Sequence, residues 1–266
     1  MSCENALHKL KRTISKTPLR TTRLYIPDPI DTATINTGST PVVTLDADDS
    51  RYLIKVMRYK EGDIVELFNG DGYSYQASII SAGKSTQLKI EAAQFNSTES
   101  PVSITLVQAL AKGTKLDLVV QKATELGVSR ITPVSSERTV LQVDEKRAQK
   151  KAEHWNKIAR SASAQCNRSI VPEIDPLTAL EKWLAIHKEE HSILIHPEAA
   201  SSFNNLEPVA ALNILVGPEG GFSDKELELA ANAGVQSVKC GPRVLRTETA
   251  GFAAIAIVQS LIGDMC

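Results

Sequence analysis

Cysteine is scarce in this chain, and no two cysteines are spaced for metal or for a disulfide framework. Cys3, Cys166, Cys240 and Cys266 are scattered through 266 residues without a C-x-x-C pair, so zinc-site and disulfide-scaffold readings lose their basis. Long apolar runs are missing too. The longest, Ala250 to Val258, ends at Gln259 and Ser260, well short of the ~18 residues of a membrane span. Residues 1–20 hold no continuous apolar stretch of the secretory kind. Neither an internal repeat nor a low-complexity tract is present. These absences point to a reduced, cytoplasmic protein with no membrane partner and no metal.

What remains is ordinary globular usage, 42% hydrophobic and 23% charged, which argues against disorder as the main state. The net charge of −1 hides a segregation. Residues 1–20 carry +4 and residues 21–100 carry −4. Residues 101–170 hold 12 basic against 6 acidic side chains, and residues 171–266 hold 6 against 13. A basic middle in a neutral chain can attract polyanions. A solvated helix face over Asp144–Lys157 is the alternative source of that charge.

Two patterns follow one another. Between residues 21 and 98, short β-prone runs recur: Arg23–Ile26, Pro41–Leu45, Ile64–Phe68, Ser74–Ile80 and Gln87–Ala93. Turn signals such as Asn69-Gly70-Asp71-Gly72 separate them, which suggests a small barrel or sandwich. One helix is expected near Asp49–Arg58. The polar stretch Asn96–Pro101 reads as a linker. Beyond it, apolar strands (Val102–Ala109, Arg130–Pro133, Ser192–Ile195, Leu212–Val216, Val235–Lys239) alternate with helical segments. The longest of these helices is expected over Asp144–Gln165, and a shorter one near Leu177–Ile186. That alternation predicts an α/β domain with a largely parallel sheet.

Three loops follow three of those strands: His196-Pro197-Glu198, Gly217-Pro218-Glu219-Gly220-Gly221-Phe222, and Cys240-Gly241-Pro242-Arg243-Val244-Leu245-Arg246-Thr247-Glu248-Thr249-Ala250. In open α/β sheets, ligands bind beyond the carboxyl ends of the strands. The second loop runs into Ser223-Asp224-Lys225-Glu226, a capping box for a helix over 223–233 closed by Gly234. It carries no Walker lysine and no G-x-G-x-x-G, so a phosphate-loop reading fails. The third loop crowds Arg246, Thr247, Glu248 and Thr249 against a very apolar helix, Ala250–Ile262. An N-cap by Thr247 with Glu248 in the first turn explains two of these residues but not Arg246, whose charge opposes the helix dipole.

The two glycine loops, Leu215–Phe222 and Gly241–Ala250, resemble the paired signatures of the RsmE family of S-adenosylmethionine-dependent 16S rRNA uracil-N3 methyltransferases. Gln121–Val128, Pro133 with Ser136-Glu137-Arg138, and Ala164–Arg168 followed by Pro172 fit as well. The resemblance runs over about residues 21–262. It implies a SPOUT α/β methyltransferase domain with a C-terminal trefoil knot over residues 99–266. A small PUA-like β-barrel over 21–98 and a basic extension over 1–20 would precede it. It further implies a homodimer, 16S rRNA or the small ribosomal subunit as partner, and S-adenosylmethionine as methyl donor without a metal. The donor site is expected from His196, Leu215, Gly217, Pro218, Glu219, Gly220, Gly221, Phe222, Cys240, Gly241, Val244, Leu245, Arg246, Thr249 and Ala250. Arg246 is the expected cation, with Glu248 or Glu219 as base. RNA contacts are expected from Arg23, Arg58, Lys112, Lys115, Arg138 and Arg168. The chain departs from the family pattern where Arg51 and Tyr52 precede Val56-Met57-Arg58, without the histidine the family often carries. Rival readings are a SPOUT enzyme acting on another RNA base or a ribose 2′-hydroxyl, and a non-catalytic RNA-binding module.

Overall fold

The computed structural model describes residues 21–32, 35, 40–111, 113–139 and 145–265. The basic extension 1–20 and Lys112 lie outside them. The described residues form two compact units that divide between Asn96 and Ser97.

The first unit is one five-stranded sheet. Its strands β1 (Arg23–Tyr25), β2 (Val42–Thr44), β3 (Ile64–Phe68), β4 (Tyr73–Ser81) and β5 (Gln87–Phe95) lie in the order β1-β3-β4-β5-β2. Only β1 and β3 run parallel; the other pairs are antiparallel. Alternation along β4 turns Tyr75, Ala77 and Ile79 inward, where they meet Leu53, Leu67, Leu88 and Ile90 in one core. The β3–β4 turn is made by Gly70 and Gly72, at φ +96° and +90°, where an L side chain would be strained. Asp71 braces it, accepting from the Tyr73 N–H at 2.9 Å and from the Tyr75 hydroxyl. Helix α1 (Ala47–Arg51) starts earlier than expected because Asp46 caps it, accepting from the Asp49 N–H at 2.8 Å. It then widens into a π turn over Tyr52–Val56.

The second unit is a wholly parallel sheet. Strands β6 (Ser103–Ala109), β7 (Arg130–Ser135), β8 (Glu173–Ile174), β9 (Thr178–Ala179), β10 (Ser192–Ile195), β11 (Ser201–Ser202), β12 (Ala211–Val216) and β13 (Gln236–Lys239) take the order β11-β13-β10-β12-β6-β7-β8, with β9 also on β7. The helices are α2 (Lys115–Glu125), α3 (Glu145–Cys166), α4 (Leu180–Ile186), α5 (Asp224–Asn232) and α6 (Thr247–Ile262). The near-continuous apolar strands are explained by burial on both faces. Leu106, Ile193 and Ile214 join a core with residues of α2, α3 and α6. Their neighbours Val107, Leu194 and Leu215 join a second core with residues of α4 and α5. The two-residue strands β8, β9 and β11 carry too little periodicity to be read from sequence.

Buried polar groups stitch the layers. Gln259 of α6 is fully buried, donates to the Leu126 carbonyl at 2.9 Å and accepts from Ser100 at 2.7 Å. Gly127 ends α2 at φ +84°, and a Cβ there would stand 2.7 Å from Gln259 Nε2. Gly234, after α5, has φ +86° but nothing nearer than 3.8 Å. Alanine at either position carries the backbone cost of about 1–2 kcal/mol. At Gly127 it also displaces a buried amide, adding about 1–3 kcal/mol. In urea denaturation, Gly127→Ala is therefore expected to lose roughly twice the stability that Gly234→Ala loses.

Candidate active site

Strands β13, β10 and β12 are adjacent and parallel, so the loops leaving their carboxyl ends meet at one sheet edge. The first is held by the His196 N–H, which donates to the Val238 carbonyl at 3.0 Å. In the second, Gly221 turns back at φ +70° and donates to the Pro218 carbonyl at 2.9 Å. A side chain at Gly217 would press within 3.3 Å of the Phe222 ring and backbone. The expected capping box is present: Ser223 and Glu226 bond each other's backbone N–H. Glu226 is buried, and its other oxygen accepts from the Glu137 N–H at 2.8 Å. That bond ties the 136–139 loop to the start of α5.

The third loop is tied to the second from beneath. The Thr247 hydroxyl donates to the Gly217 carbonyl at 2.6 Å and accepts from Gln108 Nε2 at 2.9 Å. Gln108 also donates to the Ala109 carbonyl, and its Oε1 is buried without a hydrogen-bond partner. Helix α6 thus begins at Thr247, three residues before the expected start. Arg246 occupies the N-cap position in extended conformation and makes no side-chain cap. An N-cap by Thr247 is corrected accordingly, because its hydroxyl is spent on Gly217.

The loops enclose a cavity of about 620 Å³, within the usual span of small-molecule sites. Of the residues expected to hold a donor, His196, Gly217–Phe222, Cys240, Gly241, Val244–Arg246 and Ala250 line it. Leu215 does not; it is fully buried in the α4–α5 core. Thr249 is exposed and outside the wall. Ile195 and Val216, the strand ends that precede two of the loops, also line it, as do Pro197, Glu198, Arg243 and Thr247 within the loops themselves. Strand ends carry no mark of their own. Burial pushes the Cys240 thiol above its ordinary range, so it stands in the wall as a neutral thiol.

Charge gathers here. Lys115 and Arg138 line the cavity, although Lys115 opens α2 and Arg138 follows β7. Arg138 donates to the Gly220 carbonyl at 2.8 Å. Lys115 Nζ lies 2.8 Å from Glu219 Oε1 and 4.0 Å from Glu248 Oε2. Glu219 lines the cavity, whereas Glu248 is outside the wall, largely buried, with Oε2 lacking a hydrogen-bond partner. Two of the arginines expected to meet RNA are used internally. Arg23, its side chain 6% exposed, pairs with Glu66 at 2.6 Å and lies over the Phe68 ring. Arg168, 4% exposed, pairs with Glu99 and donates to the Thr124 carbonyl at 2.8 Å. Both side chains are almost wholly buried. Arg58 is exposed, at φ +62°. Among the described residues no group of three His, Cys, Asp or Glu is placed to hold a metal, and no helix is long and apolar enough to cross a membrane.

Comparison with known proteins places this geometry. An RNA methyltransferase domain family matches residues 98–259, and an RNA methyltransferase PUA domain family matches residues 45–91. A ribosomal RNA small subunit methyltransferase E from Buchnera aphidicola is 35% identical over 91% of this chain and 94% of its own. The Bacillus subtilis protein of the same name is 30% identical over 82% and 90%. Among solved structures, a Legionella pneumophila methyltransferase with bound S-adenosylmethionine superposes with a TM-score of 0.86. It is 33% identical, covering 92% of this chain and all of that one. A ribosomal RNA small subunit methyltransferase E from Neisseria gonorrhoeae, also bound to S-adenosylmethionine, gives 0.84 and 32% over 92% of this chain.

Thr247→Val removes both bonds of the hydroxyl, taking a donor from the Gly217 carbonyl and an acceptor from Gln108 Nε2. It is expected to lower stability by about 1–3 kcal/mol in chemical denaturation. Thr249→Val, on the exposed side of the same turn, is expected to change it by less than about 0.5 kcal/mol.

Proposed function

Because the chain belongs to the family of ribosomal RNA small subunit methyltransferase E, we propose that it moves a methyl group from S-adenosylmethionine to N3 of a uridine in 16S rRNA. The observation that carries this reading is the convergence of three loops, two of them glycine-rich, on one cavity at the carboxyl edge of a parallel sheet. The cavity fits such a donor. Its wall joins apolar faces from Phe222, Leu245 and Val216 to glycines at 217, 220, 221 and 241, where backbone approaches a ligand closely. When bound, the donor supplies a sulfonium methyl, already a good leaving group.

The chain's own residues do the rest. The loops 217–222 and 240–246 hold the donor, and Thr247 keeps them in register through Gly217. Alignment of the acceptor nitrogen with the methyl contributes up to ~7–11 kcal/mol. The N3 proton must leave, and Glu219, in the wall, is the carboxylate placed to take it, for a typical factor of ~10²–10⁴. Arg246, also in the wall, faces charge that develops on a flanking carbonyl oxygen. Glu248 is outside the wall, which moves it from base to support. A uracil reaches such a cavity only when unstacked, so single-stranded or flipped-out RNA is the substrate form.

The same reading assigns residues 21–98 and 99–266 as RNA-binding and methyltransferase domains, with Arg58, Lys115 and Arg138 as the accessible basic contacts. It includes a homodimer in the cytoplasm; Leu261 and Met265, exposed around the end of α6, support a second copy. It also includes the trefoil knot, which the strand order β13-β10-β12-β6 and the return of α6 onto β12 and β6 support.

Purified protein, methyl-labelled S-adenosylmethionine and small subunits lacking the modification are expected to give label in 3-methyluridine, with naked 16S rRNA assayed in parallel. Label in another base or in a 2′-O-methyl nucleoside would replace the substrate. Arg246→Ala is expected to lower turnover at saturating donor by about 10²-fold or more; wild-type turnover would remove Arg246 from the mechanism.

A further inference from the structure

Lys115 and Glu219 form an ion pair in the cavity wall. Lys115 arrives from the start of α2 and Glu219 from the glycine loop, 104 residues apart. Each side chain stays about one-third exposed, 35% and 34%, so the pair is open to a ligand in the cavity. An ammonium beside a carboxylate presents a hydrogen-bond donor next to an acceptor. The imide edge of uracil offers the complement, a carbonyl oxygen next to N3–H. Cytosine offers the reverse, an exocyclic amine next to a bare ring nitrogen.

We infer that the Lys115–Glu219 pair reads the imide edge of the target base and selects uracil over cytosine. This rests on the uridine-N3 reading above. Lys115 meets one carbonyl oxygen, and Glu219 accepts N3–H. The second carbonyl is left for Arg246. In the transfer, the N3–CH₃ bond forms as the S–CH₃ bond breaks, leaving a neutral thioether. The N3 proton passes to Glu219, and the charge arising on the carbonyl oxygen is met by Lys115. With cytosine, the carboxylate faces the N3 lone pair in either orientation, and on the 4-amino side the ammonium faces N–H donors as well, so repulsive contacts replace attractive ones. Sites built to hydrogen-bond a substrate group discriminate by about 10⁴ or more against an analogue that leaves them unpaired.

Glu248 completes the device as a positioning residue. Its Oε2 is buried, without a hydrogen-bond partner, and 4.0 Å from Lys115 Nζ. It therefore acts on the ammonium by charge rather than through a hydrogen bond. Two carboxylates, at 2.8 and 4.0 Å, thus fix where the ammonium stands.

The test uses the full chain and 16S rRNA or small subunits carrying uridine or cytidine at the target position. The wild type is expected to form 3-methyluridine and no measurable 3-methylcytidine. Lys115→Met is expected to lower kcat on uridine by about 10²–10³, and Glu219→Gln by about 10²–10⁴. Both variants are expected still to bind S-adenosylmethionine in calorimetry, which shows that they fold, and to lose turnover even when the donor is saturating. Lys115→Arg is expected to restore most of the lost turnover. Glu248→Gln is expected to lower kcat in the wild-type background but not further in Lys115→Met, the coupling of a residue acting through another. A wild type that forms no 3-methyluridine overturns the functional reading, and the inference with it. A wild type that forms it, with variants keeping kcat at saturating donor or losing donor affinity instead, overturns the inference alone.

Discussion

One hydroxyl holds the site together. Thr247 donates to the Gly217 carbonyl and accepts from Gln108. It thereby joins the end of β6, the loop after β12 and the first turn of α6. The junction is buried, with Gln108 and Thr247 both nearly inaccessible. In such surroundings a hydrogen bond is worth more, and a broken one costs more, than in water. Two glycine-containing loops, each able to adopt many shapes alone, are thus held in one arrangement. A flexible segment can then present a rigid wall, which a group-transfer site needs if binding is to align reacting atoms rather than merely collect them.

A second layer of constraint repeats the idea with charge. Glu226 caps α5 and also holds the Glu137 N–H. Arg138, next in the chain, reaches the carbonyl of Gly220. A helix cap, a glycine loop and a basic side chain are therefore set by one buried carboxylate. Lys115 with Glu219 and Glu248 adds an ion cluster on the same cavity. Buried or half-buried charges stabilise little by themselves once desolvation is counted. Their use here is directional, since they fix where a cation and a carboxylate face the cavity.

The basic middle of the chain turns out to be used in different ways. Arg168 lies in a motif-like stretch, yet its guanidinium closes an internal contact with Glu99 and Thr124. Outside that middle, Arg23 is likewise bound to Glu66 and Ser74. Lys115 and Arg138, which look no different in sequence, reach the cavity. Local charge density is legible from composition, but the direction of one long side chain depends on which acidic partner the fold brings within about 4 Å.

The amino-acid sequence by itself determined the order and kind of the larger elements. A β-prone run between turn signals marked β4, apolar runs marked β10 and β12, and Ser223 with Glu226 and Gly234 marked both ends of α5. These signals are local: hydrophobic period, cap chemistry and turn residues act over a few positions, so they survive in a linear reading. The glycine loops were equally plain, because few backbones need glycine so densely. Only the tertiary structure decided that the three loops share one cavity, that Thr247 is a clasp rather than a cap, and that Glu248 stands outside the wall while Lys115 stands in it. It also decided that Leu215 belongs to a core and that Arg23 and Arg168 are internal. Each of those facts is a meeting of residues far apart in the chain. Such meetings are set by strand order and by the burial of both sheet faces, neither of which any short stretch of sequence records.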